Sequence, residues 1–332
     1  MKLIKYLILI LLPVLSLSAC QRQTDDSFIS KTSYHLNTVV TIQIYDSEDE
    51  SLIDHCFELC EQYENLFSRT LESSEIYRLN HGEITEVSQE TADLIQAGLA
   101  YGEQSGGAFD ITIGPVTSLW DFSSGNTNPA LPDPKALAEA VEKVDYTKVS
   151  VSGRQVTFQE EGMAIDLGAI AKGYIADRLK DYLLSEGVNS AIINLGGNIL
   201  CIGNKPSGEP FNIAVQKPFS DQGEAALYLE IDDLSVVSSG TYERYITVDG
   251  KQYHHLLDSS TGYPCENGLT SVTIISPQSV DGDGLSTSCF CLGLEDGMKL
   301  IESMPDCYGI FITSDGEIHL SEGLEDHITV SY

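Results

Sequence analysis

The chain has 332 residues, with 50 acidic side chains against 18 basic ones and a net charge of −32 at pH 7. Such an acidic protein is repelled by the phosphates of nucleic acids and by anionic lipid surfaces, so we expect no nucleic-acid partner and no electrostatic attachment to a membrane. The length exceeds that of one average domain, and two packed lobes that share a site would fit it.

The N-terminal segment has the pattern of a lipoprotein signal. Two lysines precede an apolar run over 6–17, and small residues then lead to Cys20. This run is shorter than the ~20 residues that a membrane span needs, and a cysteine after small residues can be lipidated. We predict that residues 1–19 are removed, that Cys20 carries the lipid and that residues 20–30 form a polar tether. The mature protein would then be anchored to the cell membrane, facing outside the cytoplasm; an uncleaved membrane anchor is the alternative.

Seven further cysteines follow Cys20, and their number is odd. They are Cys56, Cys60, Cys201, Cys265, Cys289, Cys291 and Cys307. Without the spacing of a disulfide framework or of a zinc knuckle, they are expected to be largely reduced thiols that act as small buried apolar side chains. Metal ligation is the alternative.

The first half of the chain is predicted to contain mainly helices. Apolar residues at helical spacing indicate helices over 52–67 and 91–103. Residues 108–115 are predicted as a short strand that leads into a turn, and the proline-rich segment 126–134 as a surface loop. Another helix follows from Lys135.

The second half is predicted to contain mainly strands. A helical apolar stripe lies between Gly168 and Gly187, and two further helices are predicted over 283–292 and 296–304. The predicted strands cover residues 191–195, 199–203, 211–216, 226–231, 245–248, 253–257, 271–276, 309–313 and 318–320. The mixture predicts an α/β or α+β fold with substantial antiparallel sheet.

The dinucleotide-binding fingerprint of a Rossmann domain is missing from the sequence. No G-x-G-x-x-G follows the first strands, and the segment 194–198 lacks the third glycine and the acidic residue in register. A phosphate-binding P-loop is missing as well. A nucleotide would therefore have to be bound in another way.

Asp283 and Thr287 are four residues apart at the start of a predicted helix. This spacing projects a carboxylate and a hydroxyl from one face, and such hard oxygen ligands suit Mg²⁺. The alternative is a helix cap by Asp281 or Asp283, with Thr287 as an ordinary interior residue.

The segment from Asp166 to Lys172 predicts a strand, a tight glycine turn and the first turn of a helix. Backbone N–H groups and the Lys172 ammonium could face an anion together at this position. The alternative is a plain strand-to-helix connection with a solvated lysine.

Two more motifs complete a pattern that is similar to a known family. They are the segment 239–245, which reads S-G-T-Y-E-R-Y, and the segment 254–262, which reads H-H-L-L-D-S-S-T-G. Together with the two preceding motifs, they resemble the ApbE family of FAD:protein FMN transferases, from about Tyr34 to the C-terminus. The resemblance implies an ApbE-like, two-lobed flavin transferase fold, which is not a Rossmann fold, over residues 31–332.

The resemblance also implies roles for individual residues. Asp283, Thr287 and the Ala169 carbonyl would hold Mg²⁺, and the residues that would contact FAD are Leu36, Ala108, Phe109, Asp110, Asp166, Lys172 and His255. For Phe109 and Asp110 the alternatives are a core aromatic and a turn residue. The chain departs from the family pattern at Leu36-Asn37, where many members have Met-Gly, and at Ser259, where members have proline.

The implied reaction is transfer of FMN from the substrate FAD to a serine or threonine hydroxyl of an acceptor protein, with release of AMP. Acceptors would be flavoprotein subunits outside the cytoplasm. His255 and Asp283 are candidate bases, and His255 is favoured because a metal would occupy Asp283 and hold its pKa low. An FAD pyrophosphatase and a lipid-tethered FAD-binding protein are the alternatives.

Overall fold

The computed structural model describes residues 27–122, 126–220 and 224–332. The predicted signal, Cys20 and most of the predicted tether lie outside the described residues. The first strand begins at Ile29, so the tether ends earlier than the predicted residue 30, because Ile29 and Ser30 pair with the next strand. Within the described ranges, no helix is both long enough and apolar enough to cross a membrane.

Strands and helices are interspersed along the described chain. The strands are β1 (Ile29–His35), β2 (Thr38–Ile44), β3 (Val149–Ser152), β4 (Gln155–Phe158), β5 (Ala191–Leu195), β6 (Asn198–Ile202), β7 (Phe211–Gln216), β8 (Ala225–Ile231), β9 (Ser235–Gly240), β10 (Tyr245–Val248), β11 (Lys251–His254), β12 (Leu269–Ser276), β13 (Tyr308–Thr313), β14 (Ile318–Leu320) and β15 (Val330–Ser331). The helices are α1 (Ser51–Phe67), α2 (Glu75–Asn80), α3 (Gln89–Gln104), α4 (Gly114–Thr117), α5 (Pro134–Val141), α6 (Ala171–Ser185), α7 (Ser279–Leu292), α8 (Leu294–Glu302) and α9 (Leu324–His327). This mixture confirms the predicted class of helices with substantial antiparallel sheet.

The centre of the fold is an eight-stranded sheet in the order β1-β2-β5-β6-β9-β12-β13-β14. Every neighbouring pair in it is antiparallel. Strand β12 is buried along its whole length. Its successive residues Ile274 and Ile275 belong to different apolar clusters. Because successive side chains of a strand point to opposite faces, this burial shows that both faces of the sheet are covered.

Helices cover one face and a second, smaller sheet covers the other. Helix α7 packs on β9 and β12 and against α6. Strands β15, β8 and β7 form the small sheet, and the alternating pattern predicted over 211–216 places Phe211, Ile213 and Val215 in the cluster below it. The order of layers is therefore helices, large sheet, small sheet.

The close approach of α6 to α7 depends on Gly173. A Cβ atom at this position would lie 2.3 Å from the Ser279 carbonyl oxygen, which is closer than any side chain permits. At the same junction, the Asp177 carboxylate of α6 accepts the N–H groups of Ser279 (2.8 Å) and Val280 (3.0 Å), the first residues of α7. The two helices therefore meet through backbone and carboxylate contacts at the site described below.

Several predicted elements need correction. Helix α7 begins at Ser279 rather than at Asp283, because Asp177 satisfies its first N–H groups. Residues 108–115 form turns and the start of α4 rather than a strand, because the Asp110 carboxylate binds Thr112 locally and folds the chain. Strand β11 ends at His254, so His255 lies just beyond the hairpin rather than within it.

Candidate active site

Asp283 is a carboxylate in the interior of α7, and it is 5% exposed. Its Oδ2 accepts the Gly173 N–H at 2.5 Å, and its Oδ1 accepts the Asn198 side-chain amide at 3.1 Å. Burial raises its pKa, and the charge of Lys172 opposes this shift. The interior position excludes the helix-cap alternative. The low pKa expected for Asp283 depends on a bound cation and stays a prediction.

The contact with Gly173 closes the start of α6. Ile170 is the N-cap of this helix and its carbonyl accepts the Tyr174 N–H, so the Gly173 N–H in the first turn has no acceptor within the helix. The Asp283 carboxylate of α7 accepts it instead. Ala169 lies in the turn immediately before this N-cap, and the metal role of its carbonyl stays a prediction.

Thr287 lies one helical turn after Asp283 and is partly exposed. Its hydroxyl is 3.4 Å from the Ser239 hydroxyl, which is also 2.9 Å from that of Ser286. Thr287 thus connects α7 to the end of β9, where the segment 239–245 begins. Carboxylate, hydroxyl and carbonyl oxygens are the donors that Mg²⁺ prefers, so the three residues fit this cation.

Lys172 supplies positive charge between the other groups of the site. It lies close enough to Asp283, Glu243 and His255 to shift the pKa of each. Part of the Glu243 side chain is exposed to solvent. Loss of hydration from the protein groups around it raises its pKa to about 7, and the positive charges of Lys172 and Arg244 oppose this shift. A glutamate that is half ionised near neutral pH is a candidate for proton transfer.

His255 is fixed by the backbone of Arg244. The backbone nitrogen and the ring Nδ1 atom of His255 each lie 3.1 Å from the Arg244 carbonyl oxygen. A carbonyl oxygen only accepts, so Nδ1 carries the proton and Nε2 is left as the acceptor. Burial lowers the pKa of His255 to about 3, so the ring is neutral at physiological pH.

Asp166 is held by neighbours that the sequence did not indicate. Its Oδ2 pairs with Arg69 Nε at 2.9 Å and accepts the Thr117 hydroxyl at 2.8 Å, while its Oδ1 accepts the Gly168 N–H at 2.9 Å. These bonds fix the turn before Ala169. The predicted contact of Asp166 with FAD stays a prediction.

The structure favours structural roles for the segment 108–110. Phe109 is 3% exposed and its ring packs edge-on against Tyr101, as the core-aromatic alternative has it. Asp110 accepts the N–H and hydroxyl of Thr112 and the N–H of Tyr146, as a buried turn residue does. Ala108 beside them is half-buried. Flavin contacts by these three residues stay predictions.

Leu36 occupies the two-residue turn between β1 and β2. Both Leu36 and Asn37 have positive φ angles, 54° and 56°, as the tight hairpin turn requires. The Asn37 carbonyl accepts Arg244 Nη2 at 3.4 Å, which places this turn beside the segment 239–245. A flavin contact from Leu36 stays a prediction.

The turn after His255 is closed without the family's proline. The Asp258 carboxylate accepts the Ser260 N–H at 2.7 Å, and its carbonyl accepts the Gly262 N–H at 2.8 Å. Ser259 donates instead to the Gly107 carbonyl at 2.6 Å, which connects the turn to the segment before Ala108. Trp120 Nε1 donates to the Gly262 carbonyl at 2.9 Å.

The structure therefore brings together Lys172, His255, Asp283 and Thr287, with Ala169 in the turn before the helix of Lys172. The other predicted residues, Leu36, Ala108, Phe109, Asp110 and Asp166, lie in turns and loops of neighbouring segments. Sequence reasoning missed Asn198 and Glu243, which join the first group. Asn198 lies in the segment 194–198, which lacks the Rossmann fingerprint, and Glu243 lies within the segment 239–245. No periodic pattern marks either residue.

Comparison with known proteins gives one consistent result. The model of the ApbE family matches residues 36–311. A Klebsiella pneumoniae protein named FAD:protein FMN transferase is 37% identical over 302 residues, which are 90% of this chain and 93% of the relative. A Treponema pallidum protein of the same name is 32% identical, over 91% of this chain and 89% of its own length.

Solved structures agree with these sequences. The ApbE protein of Thermotoga maritima superposes with a TM-score of 0.83 at 33% identity, over 90% of this chain and 98% of that one. The flavin transferase ApbE of Vibrio cholerae gives a TM-score of 0.81 at 26% identity, over 90% and 99%. The fold and the relatives define an enzyme. The chain belongs to the ApbE family, which confirms the expected family and fold.

Proposed function

We propose that this protein is a magnesium-dependent transferase that moves FMN from FAD to a serine or threonine hydroxyl of an acceptor protein outside the cytoplasm. The relatives' names support flavin transfer from FAD. The observation that carries the proposal is the buried Asp283 of α7, held by Gly173 and Asn198 beside Lys172. Burial of a charged carboxylate near other oxygen ligands costs folding free energy, and binding of a cation offsets this cost.

Asp283, Thr287 and the Ala169 carbonyl would hold the Mg²⁺ ion. When bound, this cation neutralises charge on the pyrophosphate of FAD. The protein adds the Lys172 ammonium and the N-terminus of α6, where backbone N–H groups favour an anion. Gly173 and Asn198 orient the Asp283 carboxylate before either ligand arrives.

The reaction exchanges the phosphoanhydride bond of FAD for a phosphoester bond to the acceptor. The acceptor hydroxyl oxygen attacks the phosphorus of the FMN half of FAD, and the bond to the bridging oxygen of the AMP half breaks. AMP leaves with the bond electrons, and FMN remains as a phosphoester on the acceptor. The residues of the site position these groups and balance charge rather than form a covalent intermediate.

The hydroxyl proton needs a base, and two groups of the site fit this role. His255 presents Nε2 as an acceptor because Nδ1 is bound to the Arg244 carbonyl. Glu243 has a pKa of about 7, which matches the working pH of a general base. Asp283 fits less well, since each of its oxygens already accepts a hydrogen bond and both would face the metal.

Incubation of the mature protein with FAD, Mg²⁺ and candidate acceptors tests the proposal. The acceptors are extracytoplasmic segments of flavoprotein subunits, and mass spectrometry measures whether they gain FMN while AMP is released. Release of free FMN and AMP with every acceptor would identify an FAD pyrophosphatase instead. Binding of FAD without either product would leave a flavin-binding protein.

A further inference from the structure

Two cysteine sulfurs meet behind the segment that follows His255. Cys265 Sγ and Cys291 Sγ are 2.8 Å apart, and in the described part of the chain no other two sulfurs lie within hydrogen-bonding distance. A covalent S–S bond is about 2.05 Å long, so a movement of roughly 0.8 Å would close it. The pair therefore stands close to the geometry of a disulfide.

The backbone around the two residues connects them to both halves of the active site. Cys265 donates its N–H to the Leu256 carbonyl at 2.9 Å, next to His255. Cys291 lies in the last turn of α7, one helical turn after Thr287. A covalent bond here would join the proposed metal-binding helix to the histidine segment.

Asn267 already joins the segment after Cys265 to the end of α7. Its side-chain amide donates to the Phe290 carbonyl at 2.5 Å, and its side-chain oxygen accepts the Leu269 N–H at 3.2 Å. The Cys265 side also faces an open groove of about 390 Å³, which is lined by Cys265, His254, Glu266 and Asn267 among others. Cys265 itself is buried and Cys291 is partly exposed, so an oxidant would reach the pair from this groove or from the Cys291 side.

The other described cysteines differ from this pair. Burial raises the pKa of each of them to about 12, so they stay protonated and unreactive; they are Cys56, Cys60, Cys201, Cys289 and Cys307. The hydrogen bond from Cys265, followed by burial, raises the pKa of Cys291 as well. The pair therefore differs from the other described cysteines in the close approach of its two sulfurs and in its position beside the groove.

We propose that Cys265 and Cys291 form a reversible disulfide that fastens α7 to the segment after His255. The Cys265 thiolate attacks a disulfide of a thiol-disulfide oxidant, one sulfur of the oxidant leaves as a thiolate, and a mixed disulfide forms. The Cys291 thiolate then attacks Cys265 Sγ and displaces the second sulfur of the oxidant. The two protein thiols lose two electrons and two protons, and the oxidant leaves as two thiols. The expectation of reduced thiols then holds for the five other described cysteines.

Peptide mapping of the full-length protein in detergent tests this inference. After incubation with oxidised glutathione and alkylation of free thiols, we expect a cross-linked peptide that contains Cys265 and Cys291 and disappears on reduction. The melting temperature should be about 5 °C higher in the oxidised protein than in the reduced one, because the bond restricts the unfolded chain.

Cys265→Val and Cys289→Ala provide a matched comparison. Cys265→Val should abolish the difference in melting temperature between oxidised and reduced protein. Cys289→Ala, which removes the other cysteine of α7, should retain it. Absence of the cross-linked peptide after glutathione treatment would overturn the inference, as would a redox-dependent melting temperature in Cys265→Val. Neither readout depends on flavin transfer, so failure of the proposed function would leave this result unaffected.

Discussion

At the scale of single residues, Asp283 concentrates the most chemistry. Asp283→Asn keeps the shape of the side chain but removes the charge that a cation needs, so we expect flavin transfer to fall about 10³-fold. FAD binding should weaken only moderately. Transfer rates measured across a range of Mg²⁺ concentrations check this.

Asp281→Asn is the matched control, because Asp281 lies on the same helix but accepts the Tyr101 hydroxyl at 2.6 Å. This variant should keep most of its activity and an unchanged Mg²⁺ dependence. If Asp283→Asn behaves like Asp281→Asn, the cation binds elsewhere.

The pH dependence separates the two candidate bases. Burial lowers the pKa of His255 to about 3, so its titration lies far below neutrality and does not shape the rate there. Glu243 has a pKa of about 7 and loses its charge as the pH falls below that value. We therefore expect the wild-type transfer rate to fall by up to tenfold per pH unit below about 7.

Glu243→Gln should remove this acidic limb and leave a slower, nearly pH-independent rate. His255→Asn should lower the rate at every pH by a factor of ~10² to 10⁴ without moving the limb. Steady-state rates between pH 5 and 9 check both variants. An acidic limb that persists in Glu243→Gln but vanishes in His255→Asn would make the histidine the titrating base.

At the scale of elements, the start of α7 depends on a contact from another helix. Asp177→Ala would leave the N–H groups of Ser279 and Val280 without their acceptor, so we expect a loss of about 1–3 kcal/mol in the free energy of unfolding. Asp181 lies on the same helix but pairs with Arg178 at the surface. Asp181→Ala should cost less than about 0.5 kcal/mol in urea unfolding. Equal losses in the two variants would show that the cap contributes little.

Strands β7 and β9 and the start of α7 show which parts of the fold could be predicted from the sequence. Alternation of apolar and polar residues predicted β7 with its observed bounds, because one face of that strand is buried and the other is exposed. The start of α7 could not be predicted, because its acceptor is about a hundred residues away in the chain. Strand β9 was missed because its serines and glycine carry little strand signal, although the sheet buries them on both sides.

The candidate site shows the same limit. Lys172, His255 and Asp283 could be named as candidates because short local motifs that contain them resemble those of the family, and their roles stay predictions. The partners that orient them, Asn198 for Asp283 and Arg69 for Asp166, come from distant segments and have no pattern of their own. Packing of Phe109 in the core likewise depends on Tyr101, which its own motif does not include.

At the scale of the whole molecule, attachment to the membrane should rest on Cys20. Removal of residues 1–19 would leave a net charge of −34, so an anionic bilayer would repel rather than hold the protein. We predict that Cys20→Ala abolishes labelling by a fatty-acid analogue and leaves the precursor unprocessed by the lipoprotein route. Fractionation of cells after labelling checks this, with Cys265→Val as a control that keeps its lipid. Normal labelling of Cys20→Ala would contradict the prediction.

The hydrogen bond from Trp120 to the Gly262 carbonyl has a practical consequence. Trp120 is the chain's one tryptophan, and its ring stacks on Phe122 at 5.3 Å beside the turn that follows His255. Excited at a wavelength that tyrosine does not absorb, the protein therefore emits from one fluorophore, which touches this turn. A nucleotide that displaces residues 258–262 would change the indole's surroundings, and the emission maximum would record its arrival in solution without any added dye.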